Sequence, residues 1–282
     1  MLKRDHRRLA RFATVLTVAG AAACGGSSSP GTSPTGLSTA SGAPLASGPV
    51  TVVALGDSLT AGDGDDSGRG YTGRLTEAIA SEPGRANSTL VNFGQSGWDS
   101  TQLVDGQDGS PAQLSQAVEE VRRAADSGGA VLATVLIGSN DLWYLYEYSP
   151  EEGTTPEMED AAVATYRTNL DRTVRELQDA GAFVVVGLPH DQTVEPAVAD
   201  IDRLHELLPN VTAEEVGQMS RLAARLARTA QEVAADHAAL TVDTNHPFWA
   251  DPSKMADDGI HPNGAGYEDL AALWMEVIQP SL

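Results

Sequence analysis

The chain holds one cysteine, Cys24, and only 18 lysines and arginines against 39 aspartates and glutamates. A single thiol excludes an intramolecular disulfide. A formal charge of -21 argues against a phosphate-gripping surface, so no nucleic-acid partner is expected. Membrane-length apolar runs are missing as well: the stretch from Phe12 to Ala23 is too short and too weakly flanked to span a bilayer. No Gly-x-Ser-x-Gly elbow occurs, which argues against the α/β-hydrolase way of presenting a nucleophilic serine. Glycine loops of the Walker or dinucleotide type are absent, and His190, His205, His237 and His246 show no ligand spacing. Neither a metal nor a cofactor is expected.

What the N-terminus does contain is an export pattern. Lys3, Arg4, Arg7, Arg8 and Arg11 form a basic region ahead of the apolar stretch, so residues 1–23 read as a signal peptide. Ala21-Ala22-Ala23-Cys24 resembles a bacterial lipoprotein cleavage site, at which the Cys24 thiol becomes lipidated; ordinary cleavage at an Ala-x-Ala site is the alternative. From Gly25 to Pro49 there is no charge, and every residue except Leu37 and Leu45 is Gly, Ser, Thr, Pro or Ala. Residues 24–49 therefore read as a lipid-attachment cysteine and a flexible tether. A chain beginning at Cys24 keeps 13 of the basic and 38 of the acidic residues. Membrane contact is then expected only through a lipid at Cys24, on a protein either anchored outside the cytoplasmic membrane or secreted.

From Val50 onward, apolar strands alternate with longer helical patterns. Strands are expected at Val50 to Leu55, Thr89 to Phe93, Ala130 to Ile137, Ala182 to Leu188 and Leu240 to Val242. Helices are expected near Tyr71 to Ser81, Ala112 to Ala125, Asp160 to Ala180, Ala213 to His237 and Gly264 to Ile278. Thr212 and Glu215 form a capping box for the fourth of these. This βα rhythm predicts one domain over residues 50–282: a three-layer α/β/α sandwich around a five-stranded, mostly parallel sheet. A monomer is expected. Two connections are longer than geometry requires, Leu142 to Thr155 with four aromatics and Pro189 to Pro209 with His190, and both are expected to wall a cleft at the carboxyl ends of their strands. Asp63 to Gly68 has the look of a calcium loop, but Arg74 stands where a bidentate glutamate is needed, so a solvated mobile loop is expected.

Four segments fall at strand ends or just beyond the last strand. They are Gly56-Asp57-Ser58-Leu59, Asn92-Phe93-Gly94-Gln95-Ser96-Gly97, Gly138-Ser139-Asn140-Asp141 and Asp258-Gly259-Ile260-His261-Pro262. Singly, each reads as an ordinary turn or helix cap. Together they supply a hydroxyl, a base, a carboxylate to orient the base, and hydrogen-bond donors for an oxyanion.

This set resembles the GDSL esterases and lipases, the SGNH hydrolases, over about Val50 to the C-terminus. The resemblance implies a flavodoxin-like fold and an ester hydrolase working through an acyl-serine. Ser58 would be the nucleophile, His261 the general base and Asp258 its orienting partner. The oxyanion hole would use the backbone N–H of Ser58, that of Gly97, and the Asn140 side chain. Trp98 intervenes between Gly97 and Asp99 where the family often has the pair directly, so Gly94 is the alternative to Gly97. The implied substrate is an acyl ester or an acetylated glycan, with Trp143 and Tyr144 as substrate-binding residues. A surface protein that binds without turnover is the competing class.

Overall fold

Strands that are apolar on both faces need a helical layer on each side. In β1 (Val50–Gly56), Val53 and Leu55 enter one core while Val50 and Val52 enter the other. The computed structural model describes residues 44–282 except 108 and 151–152; Cys24 and the expected signal peptide lie outside the described residues. After β1 come α1 (Ser58–Ala61), α2 (Gly70–Ser81), β2 (Thr89–Asn92), α3 (Ser100–Asp105), α4 (Gln113–Asp126) and β3 (Ala130–Leu136). They are followed by α5 (Ser139–Glu147), α6 (Pro156–Asp179), β4 (Phe183–Leu188), α7 (Pro196–Ala199), α8 (Ile201–Leu207), α9 (Ala213–Asp236), β5 (Leu240–Asp243) and α10 (Gly264–Ile278).

The strand order is β2-β1-β3-β4-β5, and all four pairings are parallel. β3, in the middle, is buried at all seven positions. Its Val131, Ala133 and Val135 pack with α4, α6 and α9, whereas Ala130, Leu132 and Leu136 pack with α2 and α10. Those two layers are the α/β/α sandwich expected of the alternation. α9 starts on the Thr212–Glu215 capping box, with both reciprocal bonds present.

Three local expectations change. The connection after β3 is helical through Glu147, because Leu142 and Tyr146, four residues apart, bury one face of α5 in the core. Asp63 to Gly68 is exposed at Gly64, Asp66, Ser67 and Gly68 but is built around a buried carboxylate: Asp65 accepts from the Ser67 N–H and hydroxyl and the Gly70 N–H, and pairs with Arg74. Burial alone would raise the Asp65 pKa, but those donors, Arg74 first among them, hold it well below the carboxylate range. The arginine that spoils a calcium loop neutralises it. The far end of the expected tether is also docked. Leu45 is buried and its N–H donates to the Ser281 carbonyl at 2.9 Å. Arg85, 3% exposed, donates to the carbonyls of Leu45, Ala46, Gly48 and Leu282.

Removing that guanidinium would leave several carbonyls short of a donor, at about 1–3 kcal/mol for a buried group. Arg85→Ala should therefore lower unfolding stability by that order in a urea titration while leaving kcat unchanged, since the catalytic candidates lie at the other end of the strands. Equal urea midpoints for the two proteins would mean that the clasp contributes nothing.

Candidate active site

In a sheet of this order, the connections leaving β1 and β3 diverge, which opens a crevice at their carboxyl ends. Gly56, paired with Leu136 at that point, has no room for a side chain: a Cβ there would lie 2.1 Å from the Leu136 carbonyl and 2.3 Å from Thr60 Oγ1. Gln113, from α4, caps the strand end, accepting from the Gly56 N–H and donating to its carbonyl, both at 2.9 Å. Asp57 turns the chain by accepting from the Leu59 N–H at 3.0 Å. Its Oδ2 is buried with no partner among the described residues, and burial pushes its pKa up to about 7. Ser58 is the first residue of α1, so its N–H is one of the donors that a helix start leaves free.

Ser58 and His261 are 203 residues apart in sequence, yet Ser58 Oγ lies 2.9 Å from His261 Nε2. On the ring's other side, His261 Nδ1 is 2.7 Å from Asp258 Oδ2. Asp258 Oδ1 accepts from the N–H groups of Ile260 and His261, each at 3.0 Å, so the residue is at once a turn former and the ring's partner. A carboxylate accepts only, so Nδ1 carries the proton and the Nε2 lone pair is left facing the serine hydroxyl. Burial disfavours the imidazolium, but the Asp258 hydrogen bond and the charges of Asp258, Asp63 and Asp57 outweigh it, raising the His261 pKa above 6.5. For Asp258, burial again opposes the charge, and the bonds from His261 and Ile260 bring its pKa down to about 2.

Neighbouring loops hold this turn. Arg203 Nη2 donates to the carbonyls of Asp257 and Asp258 at 3.1 and 3.2 Å, and the Ala197 N–H to that of Gly259 at 3.1 Å. Gly64 lies so close that a Cβ would come within 2.9 Å of His261 Cβ. Behind these, His190 Nε2 and Glu195 Oε1 meet at 2.7 Å, and the His190 ring stacks on Trp249 at 3.6 Å. Burial lowers the His190 pKa to about 3 and raises that of Glu195, so this pair is a neutral buried brace and not a second acid–base couple.

The two glycines left open by sequence now separate. Gly94 gives its N–H to Asn92 Oδ1 at 2.9 Å, and a Cβ there would sit 2.5 Å from the Ala61 nitrogen, so packing explains this glycine. Gly97 is the third residue of a turn closed by the Trp98 N–H on the Gln95 carbonyl at 3.2 Å, with the φ of +77° that a type II turn demands there. Its N–H has no acceptor among the described residues. Asn140, second in α5, donates through Nδ2 to the Trp98 carbonyl at 2.9 Å, which leaves its other amide hydrogen for a ligand. Burial pushes the next residue, Asp141, up to about 6.

Trp143 packs against the core with its Nε1 buried, and the Tyr144 hydroxyl donates to the Gly97 carbonyl at 2.7 Å. Among the described residues, the exposed large apolar side chains Tyr148, Val194 and Leu207 all lie on the connections after β3 and β4. Gln113, Gly64, Arg203 and Ala197 went unnoticed in sequence. Each works through contacts with a distant part of the chain, which leaves no motif.

Residues 54–268 match the profile of the GDSL-like Lipase/Acylhydrolase family. The chain belongs to that family. The GDSL-like chain is accordingly a hydrolase of ester bonds. It is 25% identical over 228 residues, 79% of its own length and 78% of the other's, to the uncharacterized protein YpmR of Bacillus subtilis (strain 168). In fold it is similar to LAE5, an alpha/beta hydrolase enzyme from the metagenome of Lake Arreo, Spain, at 21% identity and a TM-score of 0.57, covering 84% of this chain and 98% of that one. A catalytic mutant of Axe2, an acetylxylan esterase from Geobacillus stearothermophilus, is similar at 20% identity and a TM-score of 0.56, covering 83% and 95%.

Because Asp258 is what lifts the His261 pKa against burial, an NMR titration of the GDSL-like chain should place the His261 midpoint above 6.5. Asp258→Asn should move that midpoint down. A midpoint unmoved by the substitution would show that this carboxylate does not stabilise the charged ring.

Proposed function

We propose that the protein cleaves carboxylic esters through an acyl-enzyme on Ser58, with His261 as general base and Asp258 holding its tautomer. The observation that carries this reading is the unbroken line from Ser58 Oγ to His261 Nε2 at 2.9 Å and from His261 Nδ1 to Asp258 Oδ2 at 2.7 Å. Ser58 Oγ attacks the ester carbonyl carbon while Nε2 takes its proton. The carbonyl oxygen, now an anion, is met by the N–H groups of Ser58 and Gly97 and the free Nδ2 hydrogen of Asn140. Collapse breaks the bond to the alkoxide, which leaves with the proton from His261. Water, deprotonated by the same ring, then releases the carboxylate and restores Ser58.

Acyl esters in general are the first substrate class. Acetylated glycans are the second, a reading supported by the acetylxylan esterase named among the solved structures of similar fold. The sequence-based expectation of a Trp143 stacking platform lends it less, since that indole packs against the core.

Ser58→Ala and His261→Ala should each remove nearly all turnover of nitrophenyl acetate with little change in thermal unfolding, and the double variant should be no worse than either. A fluorophosphonate should add its mass at Ser58 in the parent protein. The base must be neutral, so kcat/KM should climb with pH through the same midpoint above 6.5 at which His261 titrates. Activity within tenfold of the parent in either single variant would end the serine–histidine mechanism.

We further propose that the mature protein starts at Cys24, is lipidated there and works tethered outside the cytoplasmic membrane. The support is the basic and then apolar export pattern, the lone cysteine at its small-residue end and the uncharged run that follows. Cys24→Ser should release active enzyme into the medium. Finding the parent already soluble there with an unmodified N-terminus would replace anchoring with plain secretion.

A further inference from the structure

The segment from Gly97 to Ser100 is laced to the first two turns of α5 by side chains of three of that helix's residues. The Tyr144 hydroxyl donates to the Gly97 carbonyl at 2.7 Å, and Asn140 Nδ2 to the Trp98 carbonyl at 2.9 Å. In return the Ser100 N–H donates to Asp141 Oδ2 at 2.9 Å, and the Ser100 hydroxyl to its other oxygen. Asn140 and Tyr144 are four residues apart and share one face of α5. A single helical stripe thus touches both the turn that presents the Gly97 N–H and the amide of Asn140.

A donor useful in a transition state has to be aimed in advance yet left without a partner of its own. For Gly97 this is a conflict. Glycine is the residue least able to hold a turn by itself, and the Gly97 N–H, kept free for a ligand, cannot serve as an anchor between the turn and α5. The N–H lies in the Ser96–Gly97 peptide and the Gly97 carbonyl in the next one, which the Trp98 N–H already ties to Gln95, so what a donor to that carbonyl sets is where the whole turn sits against α5. The only side-chain donor to that carbonyl among the described residues is the Tyr144 hydroxyl. The two residues are also fitted to each other: a Cβ on Gly97 would lie 3.1 Å from that same oxygen, closer than a neighbour tolerates without shifting.

We propose that Tyr144 is a positioning residue: its hydroxyl ties the Gln95–Trp98 turn to the helix that carries Asn140, so that the Gly97 N–H and the Asn140 amide stay placed to converge on one oxygen. This rests on the reading of Gly97 and Asn140 as oxyanion donors given under Proposed function. It replaces the role as a substrate-contacting aromatic expected for Tyr144 from sequence, and the two roles use different parts of the side chain. Substrate stacking needs the ring face, whereas alignment needs the hydroxyl.

Tyr144→Phe in the full chain separates them, since it keeps the ring. With 4-nitrophenyl acetate, kcat should fall about tenfold, less than the roughly 100-fold to 1000-fold cost of losing an oxyanion donor outright, with KM within twofold. A trifluoromethyl ketone, which places an oxyanion in the site by adding Ser58 across its carbonyl, should bind weaker by the same factor as kcat falls. The pH midpoint of kcat/KM should not move, because the Ser58–His261–Asp258 line is untouched. Unchanged kcat would show that the hydroxyl aligns nothing. A raised KM with kcat kept would return Tyr144 to substrate contact. A fall in kcat without matching weakening of the ketone would assign the loss to a general disturbance and overturn the proposal. Fluorophosphonate labelling of the parent is the separate control: if Ser58 is not labelled, the serine mechanism itself fails, whatever Tyr144→Phe does.

Discussion

One oxygen of Asp258, 2.7 Å from His261 Nδ1, decides what the other side of the imidazole can do. With the ring proton held there, Nε2 is an acceptor, and the serine hydroxyl 2.9 Å away has a base in front of it. Turn the ring over or deprive it of that partner and the same residues are an inert cluster. Hence the effort spent on the turn from Asp257 to His261: an arginine on two of its carbonyls, a helix start on a third, and a glycine packed against the histidine's own Cβ. None of these touches the reacting atoms. They fix where the carboxylate sits, and its position fixes the tautomer.

Buried acids behind the site complicate its electrostatics. Asp57 and Asp141 lie in the first turns after β1 and β3, and burial raises them to about 7 and about 6. Both then hold protons more tightly folded than unfolded, so the stability they lend is full below the unfolded carboxylate pKa of about 4 and is lost as pH rises through 6 and 7. Asp258 works the other way: lowered to about 2, it favours the folded state above pH ~4, an advantage lost as pH falls through its folded value. The mechanism proposed for Ser58 needs an anionic partner for His261 and room for an anion beside Gly97 and Asn140, and this division suits both. The acid nearest the imidazole is charged, and those behind the donors are slow to become so.

The fold was legible because the strands are short continuous apolar runs spaced by helical patterns: Val52 and Val53, adjacent and both apolar, already announce two cores. Ser58, Asn140, Asp258 and His261 were legible because each sits in a short stretch whose residue types only make sense together. Connections after β3 and β4 were harder. The aromatics from Trp143 to Tyr148 suggested an irregular wall to a cleft; the i, i+4 pair Leu142 and Tyr146 makes a helix of the segment, with Trp143 half-buried against the core. Gln113 on Gly56 and Tyr144 on Gly97 act across 57 and 47 residues, through one side chain meeting one residue's backbone, and no short window of sequence contains both ends. Choosing between Gly94 and Gly97 likewise required knowing that Asn92 had already taken one of the two N–H groups.

The Arg85 clasp gathers the carbonyls of Leu45, Ala46, Gly48 and Leu282 where β1 begins, whereas Ser58 follows that strand's end. Seven strand residues at about 3.3 Å each separate the two, roughly 23 Å through the sheet. Pro44 and Leu45, the first described residues, therefore lie at the amino ends of the strands, at the far side of the sheet from Ser58. A contact made at that end of the domain leaves the carboxyl ends of the strands, where Ser58 and His261 meet, uncovered.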